Sequence, residues 1–175
     1  YLLRCATTGQ AILIDAANEA GRLIELIGDT PVGTIVTTHQ HGDHWQALGE
    51  VRKHTGAEVV AHPADADALP VPVSHLVHDG DVLAFGDVSV SFIHLRGHTP
   101  GSIAVLYGAG GEPHLFTGDS LFPGGVGKTN SPADFASLLD DVSERLFDRL
   151  PDVTWVYPGH GSDTTLGTER PHLGE

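Results

Sequence analysis

The sequence has little cysteine, few positive charges and no long apolar run. A single cysteine, Cys5, among 175 residues excludes an internal disulfide framework. Cys5 lies in an apolar, strand-like run and reads as a small buried hydrophobe. A reducing cytoplasm suits it, and a cytoplasmic location is the expectation. Nine Lys and Arg against 23 Asp and Glu leave a formal charge of −14. Nucleic acid needs clustered cations for its phosphates, so it is excluded as a partner. No apolar stretch is long enough to span a bilayer, and no membrane partner is expected. The chain starts at Tyr1 without Met and shows no signal peptide, so its targeting is not read from its start.

Glycine is plentiful, at 22 residues, with 11 prolines, and both fall between apolar runs. That pattern fits short strands joined by tight turns. Tyr1 to Ala6 and Gln10 to Asp15 read as a hairpin, and Glu19 to Ile27 as a helix stopped by Gly28. Val32 to Thr37 and Glu58 to Ala61 read as strands. A helix is expected from Asp43 to about Thr55, and a short one after His62-Pro63. Val82 to Phe85 with Val88 to Leu95, and Ile103 to Tyr107 with Pro113 to Thr117, read as two further hairpins. The second of these is joined by a loop from Gly108 to Gly111. Phe122 to Pro132 reads as a long irregular connection. A helix capped by Ser131 is expected to run to about Leu150, with Phe135, Leu138, Leu139, Val142 and Leu146 on one face. Val153 to Tyr157 is the last clear strand, with Trp155 in the core, and periodicity does not resolve the tail from Thr164 to Glu175. The pattern gives α/β or α+β, in a single domain over 1–175.

Chemistry concentrates in Thr37-Thr38-His39-Gln40-His41-Gly42-Asp43-His44. Four metal-capable side chains follow a β-branched strand and precede a helix. Imidazole and carboxylate are ligands for zinc, iron or manganese. Twelve histidines make one His pair uninformative. Three further sites add weight: His98 in Arg96-Gly97-His98-Thr99-Pro100-Gly101-Ser102, Asp119 in Thr117-Gly118-Asp119-Ser120, and His160 in Tyr157-Pro158-Gly159-His160-Gly161. Each follows an apolar run and opens a glycine turn, the placement of a ligand at a strand end. The remaining histidines, His54, His62, His75, His78, His94, His114 and His172, read as surface or structurally satisfied groups.

The HxHxDH cluster, followed in order by GHTPGS, TGDSLF and YPGHG, resembles the metallo-β-lactamase superfamily, and in particular its short glyoxalase II-like hydrolases. The resemblance implies a four-layer αββα sandwich with metals at one edge between the sheets. It also implies that an N-terminal strand preceding Tyr1 is absent here and that the C-terminal helical substrate domain of the longer enzymes has no room. It assigns His39, His41 and His98 to one divalent metal, most simply zinc, and Asp43, His44 and His160 to a second. Asp119 bridges both, together with a hydroxide that attacks a carbonyl carbon. Asp43 and Asp119 are the candidate catalytic carboxylates. Lys128, in Gly125-Val126-Gly127-Lys128, matches a lysine that meets a substrate carboxylate in glyoxalase II enzymes. Gly127-Lys128-Thr129 is no phosphate-binding loop, because Phe122 stands where that motif needs glycine.

A thiolate, with a conjugate acid near pKa ~8.5, leaves without a proton donor, and no dedicated donor is visible. The expected substrate is therefore a small thioester such as an S-acyl thiol conjugate. Asn130 replaces an aromatic of the long enzymes, and their C-terminal basic residues have no counterpart, so the thiol carrier stays open. Two other readings use the same motifs. A persulfide dioxygenase would hold one iron through His39, His98 and Asp119, and a lactonase would apply the dinuclear chemistry to another ester. A non-catalytic module is disfavoured, because clustering seven such groups costs stability unless metal is held.

Overall fold

Parallel strands need a crossover of a dozen or so residues, whereas antiparallel neighbours need only a turn. The order of helical and strand-like runs therefore decides much of the topology. The structure, a computed structural model, describes residues 1–108 and 110–173. Ala109 of the expected Gly108–Gly111 loop and the last two residues of the tail lie outside them.

The chain is a mixed α/β protein with two sheets. The first has the order β1-β2-β3-β4-β5, comprising β1 (Leu2–Arg4), β2 (Ala11–Ile14), β3 (Val32–Val36), β4 (Glu58–Ala61) and β5 (His75–Leu76). β1 and β2 form the expected antiparallel hairpin. The pairs from β2 to β5 are parallel, and their crossovers carry α1 (Ala20–Ile27), α2 (Leu48–Thr55) and α3 (Pro63–Ala66). Ile35 of β3, Leu48 and Val51 of α2 and Val59 of β4 are fully buried in one apolar cluster.

The second sheet has the order β13-β12-β9-β8-β7-β6. Its strands are β6 (Val82–Phe85), β7 (Val88–His94), β8 (Ile103–Tyr107), β9 (His114–Gly118), β12 (Trp155–Pro158) and β13 (Thr164–Thr165). A two-stranded ribbon, β10 (Leu121–Phe122) with β11 (Gly125–Val126), stands apart. The helices here are α4 (Pro132–Val142), extended by a π-helical turn over Ser143–Phe147, and α5 (Leu166–Glu169). Leu138, Val142 and Leu146 of the α4 segment bury against Leu95, Leu115 and Val156. By contact density the chain divides into two compact units, residues 1–77 with 83–89, and the remainder. No helix among the described residues is long and apolar enough to cross a membrane.

Several expectations need correction. The helix after the His cluster does not begin at Asp43: Gly42–His44 form one 3-10 turn, and α2 starts only at Leu48. The connection after Phe122 is not wholly irregular. Pro123 and Gly124, the latter at φ +88°, make the tight turn of the β10–β11 ribbon. Phe135 is 47% exposed, so the buried stripe of α4 starts at Leu138. Trp155 is 41% exposed, because strand residues alternate and its neighbour Val156 takes the core side. The tail resolves into β13, α5 and a 3-10 turn at Arg170–His172.

Asp141, on α4, is 2% exposed and accepts from Arg96 three times: from Nε (2.9 Å), Nη2 (2.7 Å) and the backbone N–H (2.8 Å). Burial alone pushes its pKa up, but these bonds and the nearby Arg145 outweigh it and hold the carboxyl below its ordinary value. A depressed folded-state pKa gives stability that is fully present above the unfolded value of about 4 and lost as pH falls through the folded one. In metal-free protein, the stability advantage of wild type over Asp141→Asn should therefore hold from pH 7 to about 5 and shrink below pH ~4 in urea melts.

Candidate metal centre

In parallel sheets the strands' carboxyl ends are where loops gather side chains for binding. The first unit follows this. Ile14 pairs with Val36 across β2 and β3, so the next residues of both strands meet. Asp15, at φ +59°, accepts hydrogen bonds from Thr38 N (2.8 Å) and Thr38 Oγ1 (2.8 Å) and binds His44 Nδ1 at 2.7 Å. The Thr38 hydroxyl spends its proton on Asp15, so its lone pair accepts from His39 Nδ1 at 3.0 Å. One carboxylate thus fixes the protons of His39 and His44 on Nδ1 and turns both Nε2 atoms into cation donors.

The rest of the loop is held from the same strand ends. Asp65 of α3, itself buried, accepts from Gln40 N at 2.9 Å, and Trp45 Nε1 donates to Gln40 O at 2.8 Å. The latter is a staple across the loop, beside the partial burial of the Trp45 ring against the core. Ligand atoms of His39 and His41, and of His39 and His44, lie within 4.8 Å. Asp43 Oδ2 is 3.8 Å from His44 Nε2. His39 and His44 are buried, whereas Asp43 is exposed.

The second unit brings together His98, Asp119 and His160. β9 and β12 are parallel, with Gly118 opposite Pro158, and Gly159 N donates to Gly118 O at 2.7 Å. Asp119 and His160 therefore leave adjacent strand ends. Asp119 Oδ2 is 3.3 Å from His160 Nε2 and 3.7 Å from His98 Nε2. The His98 Nδ1–H donates to the Lys128 carbonyl at 2.7 Å, again leaving Nε2 as the donor to a cation. His160 is largely exposed, with its ring 4.8 Å from that of Phe122. Thr99 Oγ1 and Ser102 Oγ bond each other at 2.7 Å, and Ser120 Oγ is buried with no hydrogen-bond partner among the described residues.

These donor sets fit a metal. Two ligands each about 2.1 Å from one tetrahedral ion stand about 3.4 Å apart. The separations of 3.3, 3.7 and 3.8 Å within the two sets bracket that value. Three of the four buried or half-buried candidate histidines, His39, His44 and His98, have an oxygen at Nδ1.

His39 and His41 follow the end of β3, Asp43 and His44 sit in the 3-10 turn beyond them, His98 follows β7, and Asp119 and His160 follow β9 and β12. Sequence reading missed Asp15, which served only to end β2, and Asp65. The only local signal for Asp15 was a carboxylate at a strand's carboxyl end. The bland readings of the other histidines hold where partners are seen: His62 caps α3, His75 pairs with Glu58 (3.0 Å) and His114 bonds the Tyr157 hydroxyl (2.9 Å). Lys128 is exposed, and its backbone, not its ammonium, contacts His98.

The fold and ligand pattern define a metallo-hydrolase, and the sequence profile of the Metallo-beta-lactamase superfamily matches residues 1–160. The chain belongs to that superfamily. It is 31% identical to the hydroxyacylglutathione hydrolase GloC of Haemophilus influenzae, over 91% of this chain and 84% of that one. It is 36% identical to the hydroxyacylglutathione hydrolase of Fuscovulum blasticum over 91% of this chain, but spans only 61% of that protein's length. Among solved structures, ETHE1 from Myxococcus xanthus superposes with TM-score 0.84 at 33% identity, covering 99% of this chain and 76% of that one. TTHA1623 in a di-iron-bound form superposes with TM-score 0.81 at 32% identity, covering 98% and 91%.

Two substitutions test the supports. Asp15→Ala should weaken zinc affinity some 10- to 100-fold in chelator competition, because two histidines lose their fixed tautomer. Gly127 sits so close to Asp119 that an added Cβ would lie 1.7 Å from its carbonyl oxygen and 3.5 Å from His98 Nδ1. Gly127→Ala should lower both thermal stability, by about 1–3 kcal/mol, and metal content, read by calorimetry and elemental analysis.

Proposed function

We propose that the chain is a dinuclear metal-dependent thioester hydrolase, acting as one metallo-β-lactamase domain on an S-acyl thiol conjugate. In this reading His39, His41 and His98 would hold one ion and Asp43, His44 and His160 the other, and Asp119 would serve both. Zinc is the first choice of metal, and the di-iron form of TTHA1623 makes iron the second. The observation that carries the dinuclear reading is His44. Its Nδ1 is held by Asp15 at 2.7 Å, as that of His39 is by Thr38, and this supports reading His44 as a ligand. A single iron held by His39, His98 and Asp119 would leave that preparation without purpose.

When bound, divalent ions supply Lewis acidity and bring the pKa of a water into the neutral range. The chain's own residues do the rest. The Asp15, Thr38 and Lys128 oxygens hold imidazole protons on Nδ1. Lys128, exposed at the end of the β11 segment, offers an ammonium to a carboxylate of the thiol carrier. A thiolate leaves without a proton donor, so the reaction asks for no dedicated general acid. The hydroxyacylglutathione hydrolases among the relatives support glutathione conjugates as the first substrates to try.

The test is elemental analysis of protein purified without added metal, followed by thiol release from S-acyl glutathione. Two ions per chain with thiol release is the expected result, and Lys128→Ala should then raise KM about tenfold with kcat nearly unchanged. One iron per chain, no uptake of a second ion from excess zinc, and oxygen consumption with a persulfide would overturn the proposal.

A further inference from the structure

Asp141 belongs to no ligand motif and lies on a helix, yet it holds the strand end that delivers His98. We infer that Asp141, acting through Arg96, is a positioning residue for His98 and sets the affinity of the metal that His98 would bind. The inference rests on the metal reading above.

Three observations carry it. First, Arg96 is clamped at three atoms by the one carboxylate, at 2.7, 2.8 and 2.9 Å, and one of these is its backbone N–H. The guanidinium fork makes the pairing directional, so the main chain two residues before His98 is fixed in orientation as well as place. Second, Gly97 is pressed onto the same helix. At φ +134°, an added Cβ there would lie 2.4 Å from Asp134 O and 2.6 Å from Leu138 Cβ. Third, the acceptor that sets the His98 tautomer, the Lys128 carbonyl, lies three residues before Ser131, which caps α4 by accepting from Asp134 N at 3.1 Å. The backbone before His98 and the partner of its ring are thus both referred to α4.

Arg145 backs the clamp. Its Nε is 3.3 Å from Asp141 Oδ1, and its Nη1 reaches Asp79 at 3.0 Å and the His94 carbonyl at 3.1 Å. His94, Arg96 and Gly97 are thereby each held against the α4 segment. A carboxylate that only stabilised the helix would need neither the backbone bond nor the paired glycine.

The experiment compares wild type, Asp141→Asn, Arg96→Gln, the double variant and His98→Ala as full chains. Zinc affinity is read by chelator competition, and the melting temperature of the metal-free protein is read alongside it. Asp141→Asn and Arg96→Gln should each weaken the affected zinc site about tenfold, and the double variant should be no weaker than the worse single one. In metal-free protein, the His98 ring resonances should broaden or shift in both variants. Zinc affinity within twofold of wild type, with only the melting temperature lowered, would overturn the inference. Arg96→Gln, at a half-exposed side chain, carries the test should Asp141→Asn fail to fold. If His98→Ala itself leaves zinc affinity unchanged, the metal reading falls and the inference falls with it. If His98→Ala weakens binding but the clamp variants do not, the inference alone fails.

Discussion

An imidazole can bind a cation only through a nitrogen that carries no proton, and its two nitrogens share one proton when neutral. The candidate ligand set of each unit depends on settling where that proton sits. Oxygen acceptors at Nδ1 settle it for His39, His44 and His98. Each acceptor comes from a different part of the fold: a hydroxyl on the ligand loop, a carboxylate at the end of β2, and a carbonyl beyond β11. The fold is therefore asked to place oxygens as exactingly as nitrogens. The parallel register of β2 and β3 does this for the first unit. The cradle at Gly127, whose N–H donates to Ser120 O at 3.1 Å, does it for the second.

This demand accounts for the unusual backbone at Asp15 and Gly97. Asp15 adopts φ +59° although it has a Cβ, a conformation that costs about 1 kcal/mol or more for most residues. The same twist lets its two oxygens face Thr38 and His44 together. Gly97 occupies a position that no side chain would fit. Local strain of this kind persists only where surrounding bonds over-determine it, and functional sites are where it gathers.

The candidate ligands were legible in the sequence because they are chemically distinctive residues beyond the ends of apolar runs, and four of them are nearly contiguous. The hairpins and β4 were legible for a similar reason, since alternation and turn residues are local signals. The supports were not. Asp15 is 29 residues from His44 and becomes its partner only through strand register, and Asp141 is 45 residues from Arg96. Trp155 and Phe135 misled because size and apolarity say nothing about which side of a strand or helix meets the core. The 3-10 turn at Gly42–His44 was hidden because its residues lie where the helical spacing of Ala47, Leu48 and Val51 extrapolates backwards.

Histidine count alone would have been a poor guide, and two non-ligand histidines show why. His62 also lies at the carboxyl end of a strand in the first unit, one residue beyond β4. Its Nδ1 accepts from Ala64 N at 3.2 Å, so the ring proton is on Nε2, the opposite state from His39 and His44. His94, at the end of β7, sets its Nε2 against the Pro100 carbonyl at 2.8 Å, and a carbonyl can only accept, so that nitrogen too carries the proton. Both rings are used as hydrogen-bonding groups of the scaffold, a helix cap in one case and a loop tie in the other. Position at or beyond a strand end is common to the candidate ligands and to these two histidines alike. What separates these rings is where the proton sits: on Nδ1 in His39, His44 and His98, and on Nε2 in His62 and His94.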